Sequence, residues 1–214
     1  AYAAASKIKA HIFVPETASK GKLDQISIFG SELHKISGTR ENSTIEAKIF
    51  SKKNNIPYLS HNLSPYFSEG MKSFAYEINE AIGSIDHIIF PTGNGSLLLG
   101  TWRGFLDISE KTNFNLPKLH AAQSKAIEPI VSKFNNSDWT FDSSKTTIAS
   151  GISVSNPPRL QEIVDVIKES NGTALSSTDD EALKWHEILA KEEGIFCEKT
   201  CAFSFSALEK LVAN

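Results

Sequence analysis

Short apolar runs alternating with amphipathic helical stretches predict an α/β protein, with mostly parallel sheets covered by helices on both faces. The residue content agrees: 214 residues that are 40% hydrophobic and 22% charged suit ordinary globular material, without low-complexity tracts or internal repeats. One segment is more specific than the alternation. Asp86 to Gly100, Asp-His-Ile-Ile-Phe-Pro-Thr-Gly-Asn-Gly-Ser-Leu-Leu-Leu-Gly, reads as a buried strand running through a glycine loop into a helix. Backbone N–H groups of Gly93, Asn94, Gly95, Ser96 and Leu97 would then converge on one anion at the positive end of a helix dipole.

Taken in order, the strands fall at Ala10 to Val14, Glu32 to Ile36, Pro57 to Ser60, His87 to Phe90, Lys118 to Ala122 and Thr173 to Ser176, each short and apolar. Helical stretches lie between them at Gly21 to Phe29, Glu41 to Asn54, Pro65 to Ile82, Leu97 to Lys111, Arg159 to Glu169 and Asp179 to Glu193. Several starts are signalled. Thr39 precedes the second of these helices with Asn42 nearby, Ser64-Pro65 is a cap followed by Pro in the first turn, and Thr178 to Glu181 is a capping box. Residues 135 to 144 lack periodicity, and a loop of that length in a compact domain is often functional. Gly83-Ser84, after the long amphipathic helix, marks the expected boundary between a smaller domain at 1–82 and a larger one at 83–214.

The ends read as incomplete. Ala1 to Lys9 is an alanine-rich stretch with neither Met nor cap before it, and Phe203 to Asn214 has helical spacing with only Asn214 as a left-handed cap. The expectation is therefore an internal piece of a longer polypeptide. A net charge of −3 without a basic stripe argues against nucleic acid and anionic membrane, and no apolar run approaches membrane-spanning length. Cys197 and Cys201 form no disulfide framework, which favours a reducing cytoplasm. Their spacing could suggest zinc, but a structural site needs four ligands and no His pair stands at matching spacing, so no metal is expected. Cys201 reads as a small packed residue rather than a nucleophile, and the histidines other than His61 read as structural.

Four runs occur together and in order: Phe13-Val14-Pro15-Glu16 with Gly21-Lys22-Leu23; Ser68 to Ile78; Pro91-Thr92-Gly93-Asn94-Gly95-Ser96-Leu97-Leu98-Leu99-Gly100; and Glu198-Lys199-Thr200-Cys201-Ala202. Together they resemble threonine synthase and its archaeal-type paralogues. These are fold-type-II enzymes dependent on pyridoxal 5'-phosphate, similar in architecture to the tryptophan synthase β subunit. The resemblance covers essentially the whole chain. It implies a two-domain α/β protein truncated at both ends, with the cofactor phosphate held by the amides of Gly93 to Leu97. The implied activity is a lyase-type conversion of O-phosphohomoserine to threonine and phosphate. The family's Schiff-base lysine would lie upstream, so no catalytic residue is expected in this chain, and its lysines Lys7, Lys20, Lys22 and Lys125 read as solvated charge.

Substrate identity is the weaker part of the resemblance. Where the family's substrate-phosphate segment carries Asn, Ser and Arg, this chain has His61, Asn62 and Phe67, and phenylalanine cannot replace a bidentate guanidinium. Leu97 stands where many relatives have Asn. His61 and Asn62, just after the Pro57 to Ser60 run, either line a substrate pocket or form a turn with Asn62 bonded to its own backbone. Glu69 reads as a cap of the Pro65 helix. Two other readings stand beside the first: a threonine or serine dehydratase-like lyase, and a non-catalytic nucleotide-binding module, although the latter wants a third glycine that Leu98 replaces. The expected partners are a small amino-acid substrate and a second copy of the chain.

Overall fold

Two parallel sheets organise the chain. The computed structural model describes residues 1–38, 40–60 and 62–213, the Arg40 side chain excepted. The chain divides into two compact units, Ala1–Ser60 and His61–Asn214. Thr39 and Asn214, read above as caps, lie outside the described residues, as does His61.

The first unit begins with a four-residue helix α1 (Tyr2–Ala5), followed by β1 (His11–Pro15), α2 (Lys20–Ile28), β2 (Glu32–Ile36) and α3 (Arg40–Asn54). β1 and β2 pair in parallel with His11 opposite Glu32 and Pro15 opposite Ile36, the arrangement that a βαβ crossover enforces. α3 packs on both strands through Phe50, whose ring meets those of His11, Phe13 and His34. Among the described residues, no apolar side chain of this unit is fully buried.

The second unit carries α4 (Pro65–Gly70), α5 (Lys72–Ile82), β3 (His87–Pro91), α6 (Ser96–Ser109), β4 (Lys118–Ser124), α7 (Pro129–Phe134), α8 (Leu160–Glu169), β5 (Ala174–Ser177), α9 (Asp179–Glu192) and α10 (Lys199–Val212). The strands run parallel in the order β3-β4-β5. Alternation along each strand sorts the core into two layers. Phe90, Leu119, Ala121 and Ala174 face α6, α7 and α8, where they meet Leu98, Trp102, Ile130, Ile163 and Ile167. Ile89, Ala122 and Leu175 face the opposite way, onto Ala202, Phe203 and Ala207 of α10. The sheet is thus covered on both faces, as expected.

Three expectations need correction. Pro57 to Ser60 is not a strand: Pro57 offers no N–H to a ladder, and Leu59 is 86% exposed, so the run buries nothing. The helix expected over Pro65 to Ile82 is two helices broken at Met71. The break lets Ser68, Met71 and Lys72 press against α6, where only glycine fits: a Cβ on Gly100 would lie 2.3 Å from the Met71 Cβ and 2.6 Å from the Ser68 carbonyl oxygen. This packing places α4 and α5 in the second unit, so the compact units divide at Ser60 rather than at the expected Gly83. α7 was missed because its six residues are too few to reveal a period.

His120 on β4 is buried, and its Nε2 lies 2.9 Å from His87 Nδ1 while its Nδ1 accepts a hydrogen bond from the Thr173 N–H. Desolvation first, then His87 and Lys118, push its pKa down from 6.5 to about 4. An unfolded chain takes up this proton at higher pH than the folded one, so folding stability falls as pH drops from about 6.5 towards about 4. Across this range, urea unfolding should show the wild type losing about 3 kcal/mol more than His120→Asn does. Equal pH slopes for the two proteins would refute the assignment.

Candidate functional site

The candidate site is built where β3 gives way to α6. The Thr92 N–H donates to the Ala122 carbonyl (2.9 Å) and the Thr92 hydroxyl donates to the Phe90 carbonyl (2.8 Å), which pins the end of the strand. Gln123, fully buried at the end of β4, donates from Nε2 to the Thr92 carbonyl (3.1 Å). Its Oε1 accepts from the N–H groups of Ile130 (2.9 Å) and Val131 (3.2 Å), so one amide side chain ties the loop to the start of α7.

Gly95 then turns the chain into the helix with φ 73°, a left-handed conformation that L side chains resist. A Cβ there would also lie 2.4 Å from Ile163 Cδ1, and one on Gly93 would lie 3.1 Å from both Ile152 Cα and Val154 Cγ2. The helix cap has no side-chain acceptor, and the N–H groups of Ser96, Leu97 and Leu98 in the first turn have no intrahelical partner. Gly93 and Gly95 are buried, Asn94 and Ser96 are half-buried, and Leu97 is exposed. Unshielded amides at the head of a long, largely buried helix fit a phosphate monoester, which matches the donor set and the dipole.

The loop's far wall comes from an unexpected place. The irregular stretch runs on past the anticipated 135–144 to residue 159, and it is Gly151, Ile152 and Val154 that abut Gly93. Asp179, at the first turn of α9, holds this wall by accepting from the Thr147 hydroxyl (2.7 Å) and the Ile148 N–H (2.9 Å). The expected capping box is present beside it: the Glu181 N–H donates to Thr178 Oγ1 (3.2 Å) and the Thr178 N–H to Glu181 Oε2 (2.7 Å). On the other side of Gly151, the Thr200 hydroxyl donates to Glu198 Oε1 (3.0 Å).

Of the substrate-segment pair, only Asn62 lies within the described residues. Its Oδ1 is buried and has no hydrogen-bond partner among them, which removes the reading of Asn62 as a self-bonded turn. The argument that the pair follows a strand end falls with the Pro57 to Ser60 strand. Glu69 is not a cap: it sits in the last turn of α4 and pairs with Lys72 (2.8 Å) and Arg103 (3.6 Å). Lys72 also donates to Asp107 (3.0 Å), and these carboxylates raise its pKa well above the ordinary lysine value. Cys201 is exposed rather than packed. It is still not activated, because partial burial first, then Cys197 and Glu198, push its thiol pKa up.

Sequence reasoning missed Gln123, since a single amide at the end of an apolar run carries no periodic signal. It also read as structural two histidines that strand register brings to Glu32: His11, Glu32 and His34 offer donor atoms within 4.8 Å of one another. A period-two reading of His-x-Phe beside Glu-x-His could have found that set.

The second unit is a parallel α/β unit whose strand-to-helix turn leaves its first helical amides without an intrahelical acceptor. Comparison then fixes its family. Residues 1–214 match the family described as pyridoxal-phosphate dependent enzyme, and the chain belongs to it. It is 32% identical over 219 residues to threonine synthase from Methanocaldococcus jannaschii, covering 99% of this chain and 54% of that one. It is 30% identical over 216 residues to threonine synthase from Halalkalibacterium halodurans, covering 100% and 59%. The chain thus spans about half the length of the curated relatives it matches. Maize serine racemase superposes with TM-score 0.79 at 18% identity, over 96% of this chain and 60% of that one. Threonine deaminase isoform 2 from Solanum lycopersicum gives 0.76 at 18%, over 94% and 53%. The fold is that of these fold-type-II enzymes.

Replacing Gln123 by Leu keeps the volume but orphans the Thr92 carbonyl and the Ile130 N–H in the core. Unpaired buried groups cost about 1 to 3 kcal/mol each, so Gln123→Leu should lower stability by at least about 2 kcal/mol in urea unfolding. A loss under about 0.5 kcal/mol would mean that Gln123 does not anchor the loop.

Proposed function

We propose that the complete protein is a pyridoxal-phosphate-dependent lyase of the threonine synthase type, acting on a small amino acid, and that this chain supplies its cofactor-phosphate cradle. The observation that carries the reading is the bare first turn of α6 behind Gly93 and Gly95, in a chain of this family. The amides of Gly93, Asn94, Gly95, Ser96 and Leu97 would hold the phosphate, and Gln123 would hold those amides in place. Bound pyridoxal phosphate supplies an electron sink for chemistry at the substrate's α and β carbons. The lysine that bonds to it is expected upstream, and the working protein is proposed as a homodimer in the cytoplasm. Asn62, whose buried acceptor meets no donor among the described residues, is the proposed substrate contact, alongside His61.

The favoured reaction is conversion of O-phosphohomoserine to threonine and phosphate, in keeping with the curated relatives' names. Phe67 supports a second reading, a dehydratase-like lyase acting on an uncharged hydroxy amino acid. The guanidinium beside this segment is already committed: Arg103 lies 2.7 Å from Glu162 and 3.6 Å from Glu69.

Ser96→Asp tests the cradle. A carboxylate at the head of α6 repels a dianion where the dipole favours one, so fluorescence titration with pyridoxal phosphate should show affinity falling more than about tenfold, with the circular dichroism spectrum unchanged. Unchanged affinity would place the phosphate elsewhere.

Kinetics of the complete protein decide between the substrates. Each charge-assisted hydrogen bond lost at Phe67 withholds about 1.5 to 3 kcal/mol, so O-phosphohomoserine should be turned over weakly, threonine or serine should compete, and Phe67→Arg should raise kcat/KM for the phosphorylated substrate. Robust wild-type turnover without gain from the arginine would show that another group meets the substrate phosphate.

A further inference from the structure

The β1–β2 pair carries a second polar constellation, far simpler than the glycine loop and wholly within the first unit. Parallel register sets His11 opposite Glu32, and the two-residue period brings His34 onto the same face. His11 Nδ1 and His34 Nε2 are 3.1 Å apart, and each lies 3.7 Å from an oxygen of Glu32. Ligands about 2.0 to 2.2 Å from a tetrahedral zinc ion stand about 3.3 to 3.5 Å from one another, close to the separations of these donors. Both imidazoles are largely buried and held by rings: Phe13 stacks on His34 with centroids 4.4 Å apart, and Phe50 packs on both histidines.

We propose that His11, Glu32 and His34 form a binding site for a divalent transition metal of the zinc class, with a fourth position left to water. Imidazole nitrogen with one carboxylate suits zinc and its neighbours rather than calcium or magnesium, which take oxygen ligands. The carboxylate is anionic at neutral pH, as an ordinary glutamate is. Lys9 is the rival cation, 2.8 Å from Glu32 Oε2. Its side chain is mostly exposed, and such surface pairs are weak enough to yield to a divalent ion.

The second unit holds an internal control. His87 and His120 occupy the corresponding places on β3 and β4, 2.9 Å apart and stacked, but the residue opposite His87 is Lys118, where Glu32 stands opposite His11. There an ammonium replaces the carboxylate, and His120 spends its other nitrogen on the Thr173 N–H. That pair is a part-buried hydrogen bond with a lysine opposite it, while the first pair faces the Glu32 carboxylate. In the first unit, where no apolar side chain is fully buried, a bound ion would clamp two strands that have little else to hold them.

Titration calorimetry of the full chain, free of any tag, with zinc chloride at neutral pH tests the site. The expected result is one zinc per chain and a raised Tm on binding. His11→Gln and His34→Gln should each weaken binding by at least the roughly 10- to 100-fold that residues merely orienting ligands cost. Glu32→Lys, which copies the arrangement at Lys118 and alters only a half-exposed side chain, should do the same, and it keeps the test decisive if a histidine variant fails to fold. His87→Gln should leave affinity unchanged. Cobalt substitution should give the visible bands of a nitrogen and oxygen donor set. No stoichiometric binding, affinity untouched by Glu32→Lys, or a thiolate charge-transfer band that Cys197→Ser removes would each overturn the proposal.

Discussion

The tight packing of neighbouring chain against glycines around the β3–α6 turn is the constraint on which the second unit depends. Gly93 abuts the chain at Ile152, Gly95 abuts the Ile163 side chain of α8, and Gly100 further along the same helix abuts Met71. A Cβ would clash at Gly95 and Gly100 and crowd its neighbours at Gly93, so α6 is seated by its glycines before its large side chains are considered. Leu98, Leu99 and Trp102 then complete the layer under the sheet. The first-turn amides of Ser96, Leu97 and Leu98 meanwhile have no intrahelical acceptor. Core packing and the proposed anion binding therefore involve the same few residues.

Much of this was legible in the sequence, and the legible part has a common physical origin. Runs whose apolar side chains all go into the core announce themselves: His87 to Phe90, Lys118 to Ala122 and the amphipathic α8 are found within a residue or two of where they are expected. Local side-chain chemistry is equally readable, as with Thr178 and Glu181, whose reciprocal hydrogen bonds need only a helix start to exist. What escaped depends on tertiary partners. Pro57 to Ser60 has strand composition without a strand to pair with, α4 and α5 are parted by what they pack against, and Gln123 matters because the Thr92 carbonyl and the α7 amides happen to meet it. The site residues divide in the same way: the glycine loop is a continuous signal, whereas its wall at Gly151 to Val154 comes from a stretch with no period at all.

The two units solve the same βαβ problem with different means. Each sets a histidine at the start of one strand against another two residues into its neighbour, and each stacks imidazole near imidazole. In the second unit, burial first, then His87 and Lys118, hold the His120 pKa down, so its cost falls due only when acid is added. In the first unit, Glu32 reverses the local charge beside two largely buried imidazoles. A single acidic residue in place of a basic one sets a carboxylate beside the histidine pair.

That contrast bears on how an enzyme of this family can be assembled. The proposed cradle must be rigid, because amides that hold a dianion act only if they are already in place, and the second unit gives the loop a three-stranded sheet covered on both faces. The first unit holds none of the proposed cradle residues and, among the described residues, has no comparable core, so its two strands rest on ring contacts among His11, Phe13, His34 and Phe50. Local stability follows buried apolar contacts, which puts the first unit at the low end and the β3–α6 turn at the high end. An element that is weakly held when empty and clamped when occupied is one whose order a ligand can set. The polar constellation on β1 and β2 lies in the unit where such control would have the most effect.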